Sequence, residues 1–455
     1  YPLDIFGQQP CLNMYTPIAM FYRVADDSQL HAAVETVKGG LHQLAQAFPW
    51  LSGQVVCEGA GPDCSGTYNI KPYRPDIHLF VKDLREDARI PPFSDFEAAE
   101  FPFRLVSEND FCPVSALPGG FTHELIPDGI IPVFILQVNF IRGGLVITPM
   151  GHHQALDGTG YGIVLSLLDK ACRNEPFTEE ELTSLNNIDR TTILPTLPSL
   201  DISNSALKYQ LRPSTSTGPL APCAPAVESW ESPEECSWTY FTFSPTSIAS
   251  LKALASTSLS PTTPYITTDD ALTAFITHHI FLSRVPRLSD QTVALCRAIS
   301  IRSALGIPKL YPGMAHHMSY LPLSLPPPPF PEMAVNLRSL LNDTDTIRAN
   351  AAALATLFTT SADKNVATFT AGCDMTKDLM LSSWAGMPCY GMDLGMGLGK
   401  PVGVRRPRFF GVEGLLFIMP KREDGETVVA VCLRGEDLER LRRNQEWSGL
   451  AREIG

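Results

Sequence analysis

Apolar residues recur at three- and four-residue steps from Leu30 through Val34, Val37, Leu41 and Leu44 to Phe48. That period is one face of an α-helix. Ser28 is a suitable N-cap and Pro49 stops the run, so the pattern predicts a helix over 28–48. The period then changes. "VFILQVNFI" (133–141) and "LVITPM" (145–150) are dense in β-branched and aromatic residues, with Arg142-Gly143-Gly144 between them. This predicts a β-hairpin whose second arm runs into His152. After Gly158, Val164, Leu167, Leu168 and Ala171 form a helical stripe. The segment 151–162 is thus a handover from a buried strand to a helix.

From about Asn186 to Cys236 the pattern dissolves into Pro, Ser and Thr. The stretch is too long for an ordinary connection and is read as a crossover. Helical signal resumes at Ser244-Pro245, a cap followed by proline at the first helical position. Thr267-x-x-Asp270 is a capping-box start for "DDALTAFITHHIFLSR". Pro322 to Pro331 is expected to be a stiff loop. "LLFIMP" and "TVVAVCL" flank "KREDGE", whose Asp424-Gly425 pair predicts a hairpin. A charged helix, "EDLERLRRN", comes next. The expectation is a mixed α/β chain without internal repeats: an N-terminal lobe over 1–185, a linker over 186–236 and a C-terminal lobe over 237–455.

Composition narrows the class. The chain has 455 residues, of which 44% are hydrophobic and 18% charged, enough for substantial cores. A net charge of −13 argues against nucleic acid as a partner. No apolar run reaches membrane-spanning length and no basic-then-apolar leader is evident. Eleven scattered cysteines include no CxxC pair. Free thiols in a reducing, cytoplasmic setting are the plain reading, with a bridge between Cys57 and Cys64 as the alternative.

Residues 151–162, "GHHQALDGTGYG", hold the candidate chemistry. Zinc needs three or four ligands. His153 and Asp157 supply two, and nothing brings His278-His279 or His316-His317 to them, so no metal is expected. No GxSxG elbow offers a nucleophilic serine. A histidine base fits, because a neutral imidazole takes a proton near neutral pH and the glycines let a substrate approach. From the dodecapeptide alone, a turn pair without chemistry stands equally open. A second stretch is "YGMDLGMGLGKPVGVRRPR" (390–408), glycine-dense and then basic. It is not a P-loop, because Lys400 is followed by Pro401. Its cations are either a solvated face or an attraction for a phosphorylated cofactor.

Together these stretches resemble the two signatures of the BAHD superfamily of acyl-CoA-dependent acyltransferases. His153-Gln-Ala-Leu-Asp157-Gly158 matches HxxxDG. Asp393-Leu-Gly-Met-Gly397, about 240 residues later, matches the DFGWG-like motif. Within that superfamily the chain is similar to the fungal trichothecene 3-O-acetyltransferases. "FPWLSGQV" (48–55), "LQVNFIRGGLVIT" (136–148), "KACRNEPFTEEE" (170–181), "TTDDALTAFI" (267–276), "LSSWAG" (381–386) and "MGLGKP" (396–401) carry the likeness, which spans essentially the whole chain. It departs at His152, where glutamine is expected, and at Leu394 and Met396 in the second motif.

The resemblance implies a two-lobe fold like chloramphenicol acetyltransferase, mixed sheets in each lobe and a tunnel between them. It implies acetyl transfer to a hydroxyl of a fungal secondary metabolite, such as the 3-hydroxyl of a trichothecene-like sesquiterpenoid. His153 would be the general base. Asp157 would hold the loop against Arg302, and Asp393, Gly395 and Gly397 would be structural. Lys252, Ser382, Ser383 and Trp384 lie in segments that contact CoA in similar proteins. Lys400 and Arg406 are candidates from the basic run. Acetyl-CoA is then a substrate, and no cofactor is permanently bound. The partners are acyl-CoA and a small hydroxylated natural product, without nucleic acid or membrane, and the chain is expected to be a monomer. Alternatives are a different terpenoid, alkaloid or polyketide acceptor, a condensation with a carrier-bound acyl group, or a catalytically silent metabolite-binding homologue.

Overall fold

A computed structural model describes residues 1–200, 206–212, 236–368 and 372–455. The central part of the expected crossover, 213–235, lies outside the described residues. Two mixed sheets dominate. The first runs Gly403–Arg405, Ala19–Arg23, Gly144–His152, Phe134–Ile141, His78–Asp83, and Tyr15–Pro17 pairs with the far end of Gly144–His152. The predicted hairpin is its centre. Ile141 pairs with Gly144 across a turn in which Gly143 sits at φ +73°, a conformation glycine adopts without cost. Every residue of Gly144–His152 is buried, so this strand is a rigid support for the turn beyond it.

The second sheet runs His316–Ser324, Thr292–Ser300, Leu379–Ser383, Leu415–Ile418, Thr427–Arg434, Cys236–Phe243, Ala451–Glu453. Leu379–Ser383 is parallel to both neighbours, and the other pairs are antiparallel. A short ribbon, Gln54–Glu58 with Thr67–Lys71, stands apart. Helices Gln29–Ala47 and Gly158–Cys172 share a core with the first sheet. Helices Thr268–Leu288 and Phe330–Asn342 share another with the second. Among the described residues no helix is long and apolar enough to cross a membrane.

The predicted capping box is complete: Thr267 and Asp270 each bind the other's backbone N–H. Ser244 caps the helix that opens at Pro245. The Asp424-Gly425 hairpin is present, with Gly425 at φ +96°. Ser28 differs. It is already helical and caps nothing; its N–H and hydroxyl both donate to Asp26, at 2.9 and 2.7 Å. The first turn is built one step earlier, on the Asp26 and Asp27 carbonyls. The loop expected from Pro322 also starts later, because strand His316–Ser324 includes Pro322. That strand is the sheet edge, where a missing N–H is tolerated. Cys57 and Cys64 engage the backbone of their turn, at Ser65 O and Gly66 N, and not each other.

Candidate active site

His152 ends the buried strand and His153 begins the turn beyond it. The His153 N–H donates to Met14 O at 2.7 Å, which fixes the backbone. Asp157 is the N-cap of helix Gly158–Cys172 and accepts from Gly160 N at 2.8 Å. The spacing of four therefore puts the imidazole at a strand end and the carboxylate at a helix start.

The two side chains diverge. Asp157 is buried and takes four donors: Arg302 Nη1 at 2.7 Å, Arg302 Nη2 at 2.9 Å, Gly160 N and Ala315 N at 3.0 Å. Arg302 also donates to Tyr311 O and Gly313 O. These contacts clamp the junction of the first sheet to the loop that leads into the edge strand of the second. Gly160 is where that loop comes closest. A Cβ there would lie 1.8 Å from Pro312 O, while Gly158 and Gly162 have ordinary space. Of the three alternating glycines, only Gly160 is demanded by packing.

His153 is half-buried and bonds Leu156 O through Nδ1 at 3.0 Å. A carbonyl only accepts, so Nδ1 carries the proton of the neutral ring and Nε2 keeps its lone pair. Burial lowers the His153 pKa below the ordinary value; the Leu156 carbonyl and Asp157 work against that. His152 is fully buried. Its Nε2 lies 3.0 Å from Asn13 Oδ1, its ring meets Tyr15 edge-on, and burial pushes its pKa down to about 3.

His153 lines a cavity of about 570 Å³ between the two sheets. His316 lines it too, with its ring centroid 5.9 Å from that of His153. Burial, then the neighbouring His153, lowers the His316 pKa to about 4. The sequence showed His316 only as half of a histidine pair, because its place opposite His153 is set by the pairing of strands from different parts of the chain. Among the described residues no three His, Cys, Asp or Glu converge as metal donors.

Ser382, Ser383 and Trp384 all line the cavity. Trp384 Nε1 donates to Ser382 Oγ at 3.2 Å, leaving the Ser382 proton available, whereas Ser383 spends its proton on Asp269 at 2.8 Å. Lys252 lies on an adjoining outer cleft with Lys421, and Gly386 lines both spaces. The basic run divides. Lys400 is exposed, pairs with Glu423 and is not brought to either space. Arg406 is buried in the cavity wall, 3.8 Å over Phe409 and 5.1 Å over Phe417.

The second motif is away from the cavity. Asp393 accepts from Gly395 N at 2.9 Å, and Leu394 N donates to Asp169 Oδ1 at 2.9 Å. Leu394, Gly395 and Gly397 have φ of +53°, +60° and +73°. A Cβ on Gly395 would also lie 2.8 Å from Cys172 O. The motif is a left-handed loop docked on the end of helix Gly158–Cys172. The departures at Leu394 and Met396 are both buried in the core beside it.

Comparison with known proteins gives the family. Residues 14–172 match the trichothecene 3-O-acetyltransferase-like N-terminal domain, and residues 121–448 match the Transferase family. The chain is 40% identical to a trichothecene 3-O-acetyltransferase of Fusarium sporotrichioides, over 100% of this chain and 97% of the relative. It is 39% identical to an O-acetyltransferase of Cryptosporiopsis, over 98% and 96%. The crystal structure of the F. sporotrichioides enzyme complexed with coenzyme A and T-2 superposes with a TM-score of 0.91 at 38% identity, covering 100% of this chain and 99% of that one. Vinorine synthase shares the fold at a TM-score of 0.64 and 15% identity, over 99% and 93%. Two family models and a full-length relative at 40% identity place the chain, with its histidine at a strand end and its clamped carboxylate, in the Transferase family of acyl-CoA-dependent BAHD acyltransferases.

Proposed function

We propose that this chain transfers an acetyl group from acetyl-CoA to a hydroxyl of a fungal secondary metabolite, with the 3-hydroxyl of a trichothecene-like sesquiterpenoid as the lead acceptor. The observation that carries the reading is His153. Its Nδ1 proton is tied to Leu156 O, and its ring borders a cavity bounded by both sheets. A general base held this way contributes on the order of 10²–10⁴ in rate. The relatives' names support the acyl group and the acceptor class.

In the proposed reaction His153 Nε2 takes the acceptor hydroxyl proton as that oxygen attacks the thioester carbonyl. The carbonyl electron pair moves onto oxygen. The Ser382 hydroxyl is the donor for that oxyanion, oriented by Trp384. The oxyanion collapses, the C–S bond breaks and the CoA thiolate recovers the proton from the imidazolium. The products are the acetyl ester and free CoA thiol. Asp157 acts through Arg302 and the loop, not through the proton. Lys252 and Lys421 flank the proposed path of the CoA phosphates, and Gly386 links that path to His153.

The proposed lobes are 1–185 and 237–455, joined by 186–236, with strand Gly403–Arg405 inserted from the second lobe into the first sheet. Both sides of the cavity come from one chain, which favours a working monomer. The proposed setting is the cytoplasm, where thiols stay reduced. The test is incubation with acetyl-CoA and a panel of fungal alcohols, reading thiol release and product mass. Acceptor-dependent thiol release with a product one acetyl heavier is expected. No release with any acceptor would favour a metabolite-binding homologue.

A further inference from the structure

Two residues lining the cavity carry a formal charge, Asp157 and Arg406. Asp157 is neutralised by Arg302. Arg406 is not matched: among the described residues no carboxylate ion-pairs with it. The residue is only 6% exposed. Nη1 donates to the adjacent Pro407 O at 3.2 Å, and Nε is buried without a hydrogen-bond partner. Glu108 attracts it from beyond ion-pair distance, with its own Oε2 bonded to Ala116 N. Burial brings the Arg406 pKa down to about 10, so it stays cationic at neutral pH.

A buried guanidinium with idle donors is costly unless something takes them. The surroundings indicate what does. Phe409 and Phe417 hold the fork by cation–π contact, and Trp384 packs on Phe417 at 4.9 Å. Aromatic walls beside a planar donor suit a ring body that carries an acceptor oxygen. A CoA phosphate fits poorly, because a hydrated dianion would be stripped of water here. The lysines suited to it lie on the outer cleft.

We propose that Arg406 is the acceptor-recognition residue of this site, and that the acceptor is a ring-bodied alcohol whose carbonyl or carboxylate oxygen takes the free guanidinium N–H groups. The inference rests on the acetyl-transfer reading for the word acceptor, but its test does not require turnover.

The probes are a hydroxynaphthoic acid, its methyl ester and the methylnaphthol of the same substitution pattern. Binding is measured by calorimetry without acetyl-CoA, for the wild type, Arg406→Met and Arg406→Lys, with melting temperatures recorded. The wild type is expected to bind the acid and the ester at least about tenfold more tightly than the methylnaphthol, the acid tightest, as for hydrogen bonds to a charged group. Arg406→Met should collapse that preference to about twofold or less, and Arg406→Lys should keep part of it. If Arg406→Met fails to fold, Arg406→Lys, which keeps the charge but loses the fork, carries the comparison. Acetyl-CoA affinity should move by less than about twofold. No preference in the wild type, a preference surviving in folded Arg406→Met, or a loss confined to acetyl-CoA affinity would each overturn the proposal. A preference that depends on Arg406, with no thiol release from any alcohol, would sustain the receptor and remove acetyl transfer.

Discussion

Asp157 and Arg302 face each other through two parallel hydrogen bonds of 2.7 and 2.9 Å, joining the start of helix Gly158–Cys172 to the segment that feeds the edge strand of the second sheet. His153, four residues upstream, bonds neither of them. Asp157 is therefore predicted to act through geometry. Asp157→Ala leaves a buried guanidinium facing its lost partner, which costs about 3–5 kcal/mol. Melting should fall together with activity, and Asp157→Asn should be milder because it keeps an acceptor oxygen. Urea unfolding and steady-state rates on both variants check this. A native melting temperature with lost activity in the alanine variant would assign Asp157 a direct chemical role.

The base is predicted to be His153 and not His152. His153→Ala should lower turnover by at least about a hundredfold. His152→Gln should be far milder, since a glutamine can still reach Asn13 and the cavity wall is untouched. Because burial lowers the His153 pKa, the acid limb of kcat/KM should have its midpoint below the ordinary histidine value of about 6.5. Activity should hold at neutral pH and fall as the ring is protonated. A limb above 6.5, or the two variants reversed, would reject the assignment.

Stability should share that direction. His152 is held at about 3, and His316 and His317 at about 4, all by burial. Once unfolded, each titrates near 6.5. Below that pH the unfolded chain binds protons that the folded chain refuses. Stability is therefore complete above about 6.5 and declines as pH falls toward 4, by up to about 1.4 kcal/mol per unit for each such ring. The wild type should lose more unfolding free energy between pH 7 and pH 5 than His152→Gln does. Equal losses would mean that His152 is not held neutral.

The site was legible in the sequence to the extent that it is local. The hairpin leading to His152, the His153–Asp157 spacing and the capping box at Thr267 are patterns within one short window. What was hidden depends on partners far along the chain. Strand Gly403–Arg405 is three residues long and has no strand period of its own; it exists because Ala19–Phe21 offers an edge. Lys400 and Arg406 look alike in a basic run, yet one pairs in solvent with Glu423 and the other is buried on Phe409. His316 faces His153 only after two strands pair. Local chemistry at Ser28 was outcompeted by Asp26, two residues earlier.

The glycines give a sharp test of that distinction. Gly160→Ala drives a Cβ onto the Pro312 carbonyl and should cost about 1–3 kcal/mol, as overpacking does. It should also lower activity, since the same loop holds Arg302. Gly162→Ala sits in helix with ordinary contacts and should be neutral or slightly stabilising. Thermal melts of the two variants decide; equal behaviour would mean that the loop yields at Pro312.

The residues bordering the cavity predict a kinetic mechanism. Serines line it, but none is hydrogen-bonded to His153, whose Nδ1 is committed to Leu156, and no cysteine is among the lining residues. No side chain there is set up to carry an acyl group. With His153 as the proposed base and no acyl carrier, both substrates must be present at once, and their proximity supplies much of the rate. Initial-rate lines against acetyl-CoA at several acceptor concentrations should intersect. Intact-protein mass should not rise by one acetyl group when acetyl-CoA is supplied alone. Parallel lines, or a kinetically competent adduct, would replace direct transfer with a covalent route. Ser382 and Ser300, both on the cavity wall, would then be the first positions to map.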